Sequence, residues 1–374
     1  MDAPPRTPVH PRSPAAQERS ILVPYLSDSS RTCRTLRTMF VRCSWVAAVL
    51  VFTLCAGQDL LPCPPASQIA PCICSAINDI DMDLDCSDVV SSTELRAIFT
   101  TTQFPFTHFN ILKIIGNHII SLSEGDLGPT SYREIYITEG DLTTIGPGAL
   151  SGSYTTLSLL HLYNNRITSF PFGEITSFIK LASLRLQYNE LDAFPIITSD
   201  TLELLDLSNN PLGGIPSTAL SGLTALVEIQ LEGCSIPTIP TDTFTGVNTL
   251  QVINLNNNLL STIPAGAVHL EEADGTVLLN NNYITDVAVG ALQGVTGTVS
   301  ITNNRLPELN DPVWRPLFDD GIVLYAANNP LTCGCGIAWL VVEFDYQTRL
   351  GDDITCSDGE LVVDLDPDTY NHCR

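Results

Sequence analysis

The chain reads as a recurring order of apolar positions. Residues 226–236, LVEIQLEGCSI, place apolar side chains at positions one, four, six and eleven and a cysteine at nine. The frame recurs 24 residues on as Leu250, Ile253, Leu255, Asn258 and Leu260. It recurs upstream as Leu202, Leu205, Leu207, Asn210 and Leu212, then as Leu181, Leu184, Leu186, Asn189 and Leu191, then as Leu157, Leu160, Leu162, Asn165 and Ile167. Weaker copies begin at Phe109, Tyr132, Asp274, Thr296 and Gly321, so ten starts are spaced 21 to 25 residues apart. Apolar residues at four and six alternate with polar ones, which predicts one short strand per unit. A single unit cannot bury that face. Stacked units bury a continuous core and pair their strands in parallel.

This frame resembles the leucine-rich repeat, L-x-x-L-x-L-x-x-N/C-x-L. The asparagine at nine turns the chain inward, and its amide satisfies backbone groups that would otherwise be buried unpaired. Cys234 stands in that slot and reads as a buried free thiol; structural thiols of this kind are inert. Gly140 stands in the same slot and offers no side-chain bond. Several units continue with an apolar residue and proline: Phe170-Pro171, Phe194-Pro195, Ile215-Pro216, Ile239-Pro240 and Ile263-Pro264. Proline so early in the return arm argues against regular helix. The fold expected is an α/β-class repeat, a horseshoe solenoid with a parallel concave sheet and an irregular convex side of turns, extended segments and 3₁₀ helix. The pattern resembles the extracellular animal type.

Composition sets the compartment. The 374 residues include 17 basic and 41 acidic side chains, a formal charge of −24. So acidic a chain repels phosphate backbones, which argues against nucleic acid, and repels anionic lipid. Twelve cysteines suggest disulfides in an oxidising environment. SWVAAVLVFTLCAG, residues 44–57, is an apolar run that ends in small residues, as a cleaved signal peptide does. The alternative is a membrane anchor, although a run of about 14 falls short of the roughly 18–20 needed to span. Met39 opens a signal peptide of normal length, so residues 1–38 read as a gene-model extension or disordered and 39–57 as the signal. Removing 1–57 takes away seven arginines and three acids, leaving 10 basic and 38 acidic residues, a net −28, with nine cysteines. Nothing long and apolar follows, so no membrane anchor is expected, and the product reads as secreted and extracellular. No Asn-x-Ser/Thr sequon occurs after residue 57.

The other cysteines cluster at the ends. Cys63, Cys72, Cys74 and Cys86 precede the repeats, and Cys333, Cys335, Cys356 and Cys373 follow them. The terminal units of a solenoid need caps, giving an N-terminal cap over 58–108, repeats over 109–331 and a C-terminal cap over 332–374. NNPLTCGCGIAWLVVEF, 328–344, resembles the C-terminal cysteine cap of secreted leucine-rich repeat proteins, and CPPASQIAPCICSAINDIDMDLDCS, 63–87, resembles the N-terminal one with wider first spacing. By that resemblance the pairs are Cys63–Cys74, Cys72–Cys86, Cys333–Cys356 and Cys335–Cys373. Spacing alone allows three connectivities per cap. Disulfides are favoured over zinc for both C-x-C pairs. The run NDIDMDLDCSD, 78–88, fails the calcium-loop frame at its required Gly and Glu and reads as a cap strand with Asp81, Asp83 and Asp85 on its wet face. The acidic C-terminal run reads as solvated surface. No metal or other cofactor is expected.

Catalytic motifs are not found: no H-E-x-x-H, G-x-S-x-G or phosphate-cradling loop is present. The frame instead defines a binding face. Its fifth positions include Lys113, Tyr136, His161, Arg185 and Asp206, and its seventh and eighth include Tyr163, Tyr188, Glu232, Asn256 and Asn280. The first half gathers aromatics and bases, residue types enriched at interface hot spots. The second half is a row of amides, which reads equally as an uncharged, soluble sheet surface. Ten strands at about 4.8 Å span roughly 45 Å, so the face is near 700 Å². That suits a protein partner or a polymer, at about 800 Å² per side, better than a small metabolite.

FPFTHFNILKIIGN, 104–117, together with the N-terminal cap resembles a crustacean family, the one named for the non-catalytic subunit of the Oplophorus luciferin 2-monooxygenase. In that family the leucine-rich chain accompanies a small catalytic subunit. The resemblance implies a non-catalytic scaffold that binds and stabilises a secreted partner, the accessory chain of a luciferase-like complex. The alternative is extracellular recognition of microbial glycans or matrix ligands, of the innate-immunity type.

Overall fold

The computed structural model describes residues 63–76, 81–271, 274–351 and 353–373. The expected extension and signal segment lie outside the described residues, as do Asn78 and Asp79 of the acidic run. Among the described residues, twelve strands form one sheet in chain order. They are β1 Ile73–Ala76, β2 Met82–Asp85, β3 His108–Ile115, β4 Ser131–Thr138, β5 Leu159–His161, β6 Ser183–Arg185, β7 Leu204–Asp206, β8 Glu228–Gln230, β9 Val252–Asn254, β10 Thr276–Leu278, β11 Thr298–Ser300 and β12 Val323–Tyr325. The cap hairpin β1–β2 is antiparallel, and every later pairing is parallel. Register matches frame position to frame position. Ile229 opposes Leu205 on one side and Ile253 on the other.

Positions four and six of each unit are buried, as in Leu160, Leu162, Leu184, Leu186, Ile253 and Leu255. Across the core, Phe170, Phe194, Ile215, Ile239 and Ile263 of the apolar-proline pairs are buried as well. The convex side holds two-residue strand pairs, such as Ser121–Leu122 with Thr144–Ile145 and Thr262–Ile263 with Asp286–Val287, and the 3₁₀ turn Phe172–Ser177. Two helices depart from this irregular pattern. Helix α1, Ser92–Thr101, precedes the first repeat. Its start is fixed by Ser91 Oγ, which accepts from Glu94 N at 3.2 Å, while Glu94 Oε2 accepts from Val90 N at 2.8 Å. Helix α2, Asp311–Asp319, forms the return arm of the ninth repeat; Pro312 sits in its first turn, where the missing N–H costs nothing. It buries Trp314, Leu317 and Phe318.

The caps carry the pairings Cys63–Cys74, Cys72–Cys86, Cys333–Cys356 and Cys335–Cys373. Each closes an open end of the core. At the N-terminal end Met82 and Leu84 are buried beside Cys72 and Cys86. At the C-terminal end Phe318, Trp339 and Tyr346 form a ring cluster with centroids 5.5–5.7 Å apart, and Trp339 Nε1 donates to Leu309 O at 2.9 Å. No helix among the described residues is long and apolar enough to cross a membrane.

The ninth-position asparagines sew the units together. Asn189 Nδ2 donates to Leu162 O of the preceding unit and to Leu186 O of its own, both at 2.9 Å, and its Oδ1 accepts from Ile167 N at 2.8 Å. Asn210, Asn258, Asn282, Asn304 and Asn329 repeat this pattern. Two units lack the asparagine. Cys234 Sγ lies 3.3 Å from Leu207 O but supplies no amide oxygen, and Leu212 N turns to Asn210 O instead. At Gly140 the ladder passes too close for a side chain: a Cβ would fall 2.6 Å from Asn117 O. There Ile119 N goes to Asn117 Oδ1 of its own unit.

Two predictions follow from this ladder. Asn258 holds Leu231 O, Leu255 O, Cys234 N and Ile236 N. Replacing Asn258 with Ala strands these groups and is expected to lower stability by about 3 kcal/mol, read from the denaturant midpoint. Burial pushes the Cys234 thiol up to about 12. In the folded protein Cys234 should therefore resist iodoacetamide at pH 8 and label only on unfolding, with peptide mass spectrometry as the readout.

Candidate binding surface

The concave surface is built by strand alternation. Positions three, five and seven of each unit share the face opposite the core. Position five forms a column in register: Lys113 pairs with Tyr136, Tyr136 with His161, His161 with Arg185, and Arg185 with Asp206. Lys113, Tyr136, His161 and Arg185 are half-buried. The Tyr136 and His161 rings meet edge to face at 4.9 Å, and Tyr163 lies 6.1 Å beyond. The strand register brings these residues together over β3–β6. Asp206 departs from its expected exposure. It is 7% exposed, and its Oδ1 accepts from Ser208 N at 3.0 Å.

Position three was not part of the predicted face, although period-two alternation implies it. It adds Glu134, Leu159, Leu204 and Glu228, all half-buried. Tyr136 Oη donates to Glu134 Oε2 at 2.9 Å. Burial, reinforced by this carboxylate, pushes the Tyr136 phenol up to about 12. His161 is held below its ordinary value by burial and then by Arg185, with Glu134 opposing. Burial raises the Asp206 carboxyl, opposed by its bonds to Ser208 and by Arg185.

The amide half is occupied with itself. Gln230 Nε2 donates to Glu228 Oε1 at 2.8 Å, and Asn254 Nδ2 to Gln230 Oε1 at 2.6 Å. Asn256 Oδ1 accepts from Asn280 N at 2.7 Å, Asn280 Oδ1 from Ser300 Oγ at 2.7 Å, and Glu232 Oε1 from Asn257 Nδ2 at 2.6 Å. Glu232, Asn256 and Asn280 thus brace neighbouring units.

The eighth position has a separate cause. It adopts positive φ in every repeat: Gly116, Glu139, Asn164, Tyr188, Asn209, Gly233, Asn257, Asn281, Asn303 and Asn328, between 55° and 67°. Asparagine and glycine tolerate this left-handed backbone best. Their recurrence is a backbone requirement of the turn, invisible to a reading of surface polarity. Glu139 and Tyr188 are the exceptions, and Tyr188 is the aromatic one. It holds φ 57°, is 56% exposed and follows Arg185 by three residues in the same unit.

The leucine-rich repeat family model matches residues 201–223. Over 319 residues the chain is 35% identical to the Oplophorus-luciferin 2-monooxygenase non-catalytic subunit of Oplophorus gracilirostris, covering 84% of this chain and 89% of that one. Over 126 residues it is 31% identical to transforming growth factor beta activator LRRC32 of Mus musculus, covering 33% of this chain and 19% of that one. Among solved structures, a chain in the octameric complex of Latrophilin 3, Unc5D and FLRT2 superposes with a TM-score of 0.64 at 22% identity, over 78% of this chain and 90% of that one. That last likeness is one of fold alone.

Two measurements test this surface. Tyr188→Asn relieves the left-handed strain and should stabilise the protein by about 1 kcal/mol, seen as a higher melting temperature. His161 resists protonation when folded, so its contribution to stability is full above the unfolded value of 6.5 and is lost as pH falls through its lower folded value. Acidification from pH 7.5 should therefore lower the wild-type melting temperature more than that of His161→Gln.

Proposed function

Because this chain belongs to the leucine-rich repeat family of the Oplophorus-luciferin 2-monooxygenase non-catalytic subunit, we propose that it is a scaffold that binds and stabilises a partner protein through its concave face. The chain is non-catalytic. Its partner is a second secreted chain, and the two work outside the cell. Four disulfides fit an oxidising compartment. The accessory-subunit role comes from the relative's name and carries no assumption about the partner's reaction.

The observation that carries the reading is Tyr188: an aromatic kept in a costly backbone conformation, exposed, beside the aromatic and basic column of β3–β6. Tyrosine and arginine anchors of this kind supply much of the energy at protein interfaces. The amide half contributes shape, its polar groups being already engaged with one another.

The test is gel filtration of the protein from its native source, with mass spectrometry of whatever elutes beside it. A second protein at fixed stoichiometry is expected, and Tyr188→Asn should release it while leaving the fold more stable. A bare monomer or homodimer would overturn the scaffold reading. It would move the assignment to free recognition of a microbial or matrix ligand, for which polysaccharide binding is the next assay.

A further inference from the structure

Lys113 and Arg185 stand three strands apart in the fifth-position column, with Tyr136 and His161 between them. At about 4.8 Å per strand they are about 14 Å apart. Neither forms an ion pair among the described residues, although the chain carries 41 acids against 17 bases. Several other arginines are engaged, Arg96 with Asp126, Arg166 with Asp141, Arg315 with Asp311, and Arg305 over the Tyr283 ring, whereas the exposed Arg133, like Lys113 and Arg185, forms no ion pair among the described residues.

Each of these cations borders an aspartate on the next strand outward, Asp85 beside Lys113 and Asp206 beside Arg185, and Arg185 acts on the Asp206 carboxyl through space without forming an ion pair. Neither aspartate reaches across. Asp85 Oδ1 accepts from Ser87 N, and Asp206 Oδ1 from Ser208 N, both at 3.0 Å. The result is a cationic span with an aromatic middle, bounded at both ends by carboxylates that face inward along their own chains. Glu134 shares the middle and is bonded to Tyr136 Oη.

We infer that this span receives an extended acidic segment of the partner protein, with two carboxylates about four residues apart on Lys113 and Arg185. An apolar side chain between them rests on Tyr136, His161 and Tyr163. The inference rests on the protein-binding reading above and adds the partner's chemistry. A neutral ligand would leave both cations unmatched, whereas two carboxylates complete them and the flanking aspartates limit the acidic stretch. The groups facing His161 are Glu134 and Tyr136 on β4, Tyr163 on its own unit and Arg185 on β6. The apolar contact favours the neutral imidazole, as burial and Arg185 already do in the free protein.

The chain offers a direct test, for it contains two lysines, Lys113 and Lys180. A carbodiimide joins an amine to a carboxylate in contact. Applied to the native complex and followed by peptide mass spectrometry, it should couple Lys113 to an aspartate or glutamate of the partner and leave Lys180 uncoupled. Any Lys113–Asp85 link is measured on the chain alone and subtracted. Arg185→Glu should weaken partner retention roughly tenfold, more at low salt than at high. A partner that co-elutes without coupling to Lys113 overturns the acidic-segment inference and leaves the scaffold reading standing. So does coupling of Lys113 to a second copy of this chain within that complex. A chain that elutes alone, or with polysaccharide only, overturns both. The cross-link is read on the unmutated protein, so the outcome does not depend on the variant's folding.

Discussion

The asparagine ladder is the constraint from which the rest of the solenoid follows. Each repeat must turn its chain inward after six residues of strand frame, and that turn buries backbone groups no strand can pair. An amide is the smallest side chain that donates twice and accepts at once. Asn189 satisfies carbonyls of two units and an N–H of the unit before it. The leucine core supplies most of the free energy by area, but area has no register. The ladder fixes which residue of one unit lies beside which residue of the next. It thereby helps place Tyr136, His161 and Arg185 in a single column, which the strand pairing at the Gly140 seam extends to Lys113.

Much of this was legible in the sequence because the rules involved are local and repeated. A frame recurring ten times defines strands, core and register. Cys234 in the ninth slot was readable as a buried thiol because its neighbours in the frame identify the slot, and it is buried and unpaired. Two elements were less legible for the same reason. Helix α2 departs from the irregular return arms although only Pro312 falls in its first turn and Pro316 lies inside it, and the burial of Trp314, Leu317 and Phe318 outweighs that local cost. The Gly140 exception depends on a carbonyl, Asn117 O, contributed by the preceding unit, and such close approaches leave no trace in residue spacing.

The binding face divided along similar lines. Fifth-position residues were readable from alternation, and the third-position set, Glu134 and Leu159 among them, followed from the same period. What spacing does not convey is which polar groups are already engaged. Asn256 and Asn280 have the same chemistry as a ligand-binding amide, yet they brace one another's units. The eighth-position asparagines answer to backbone conformation. Lys113 and Arg185 each have a carboxylate one strand away, yet Asp85 and Asp206 accept from the N–H groups of Ser87 and Ser208 and form no ion pair with them.

The ladder also has a direction. Each asparagine reaches back to the unit before it, so every seam built on that pattern is chemically interchangeable with the next. The asparagine bonds themselves are alike from Asn258 to Asn329, although the ninth unit is tied to the C-terminal cap through Leu309 O and Trp339 Nε1. The seam at Gly140 is of another kind, since its backbone spacing fits one neighbour only. The aromatic and basic column lies across that fixed seam, between strands β3 and β6. The molecule thus combines a fixed seam beneath the aromatic and basic column with a run of repeated amide seams beyond it.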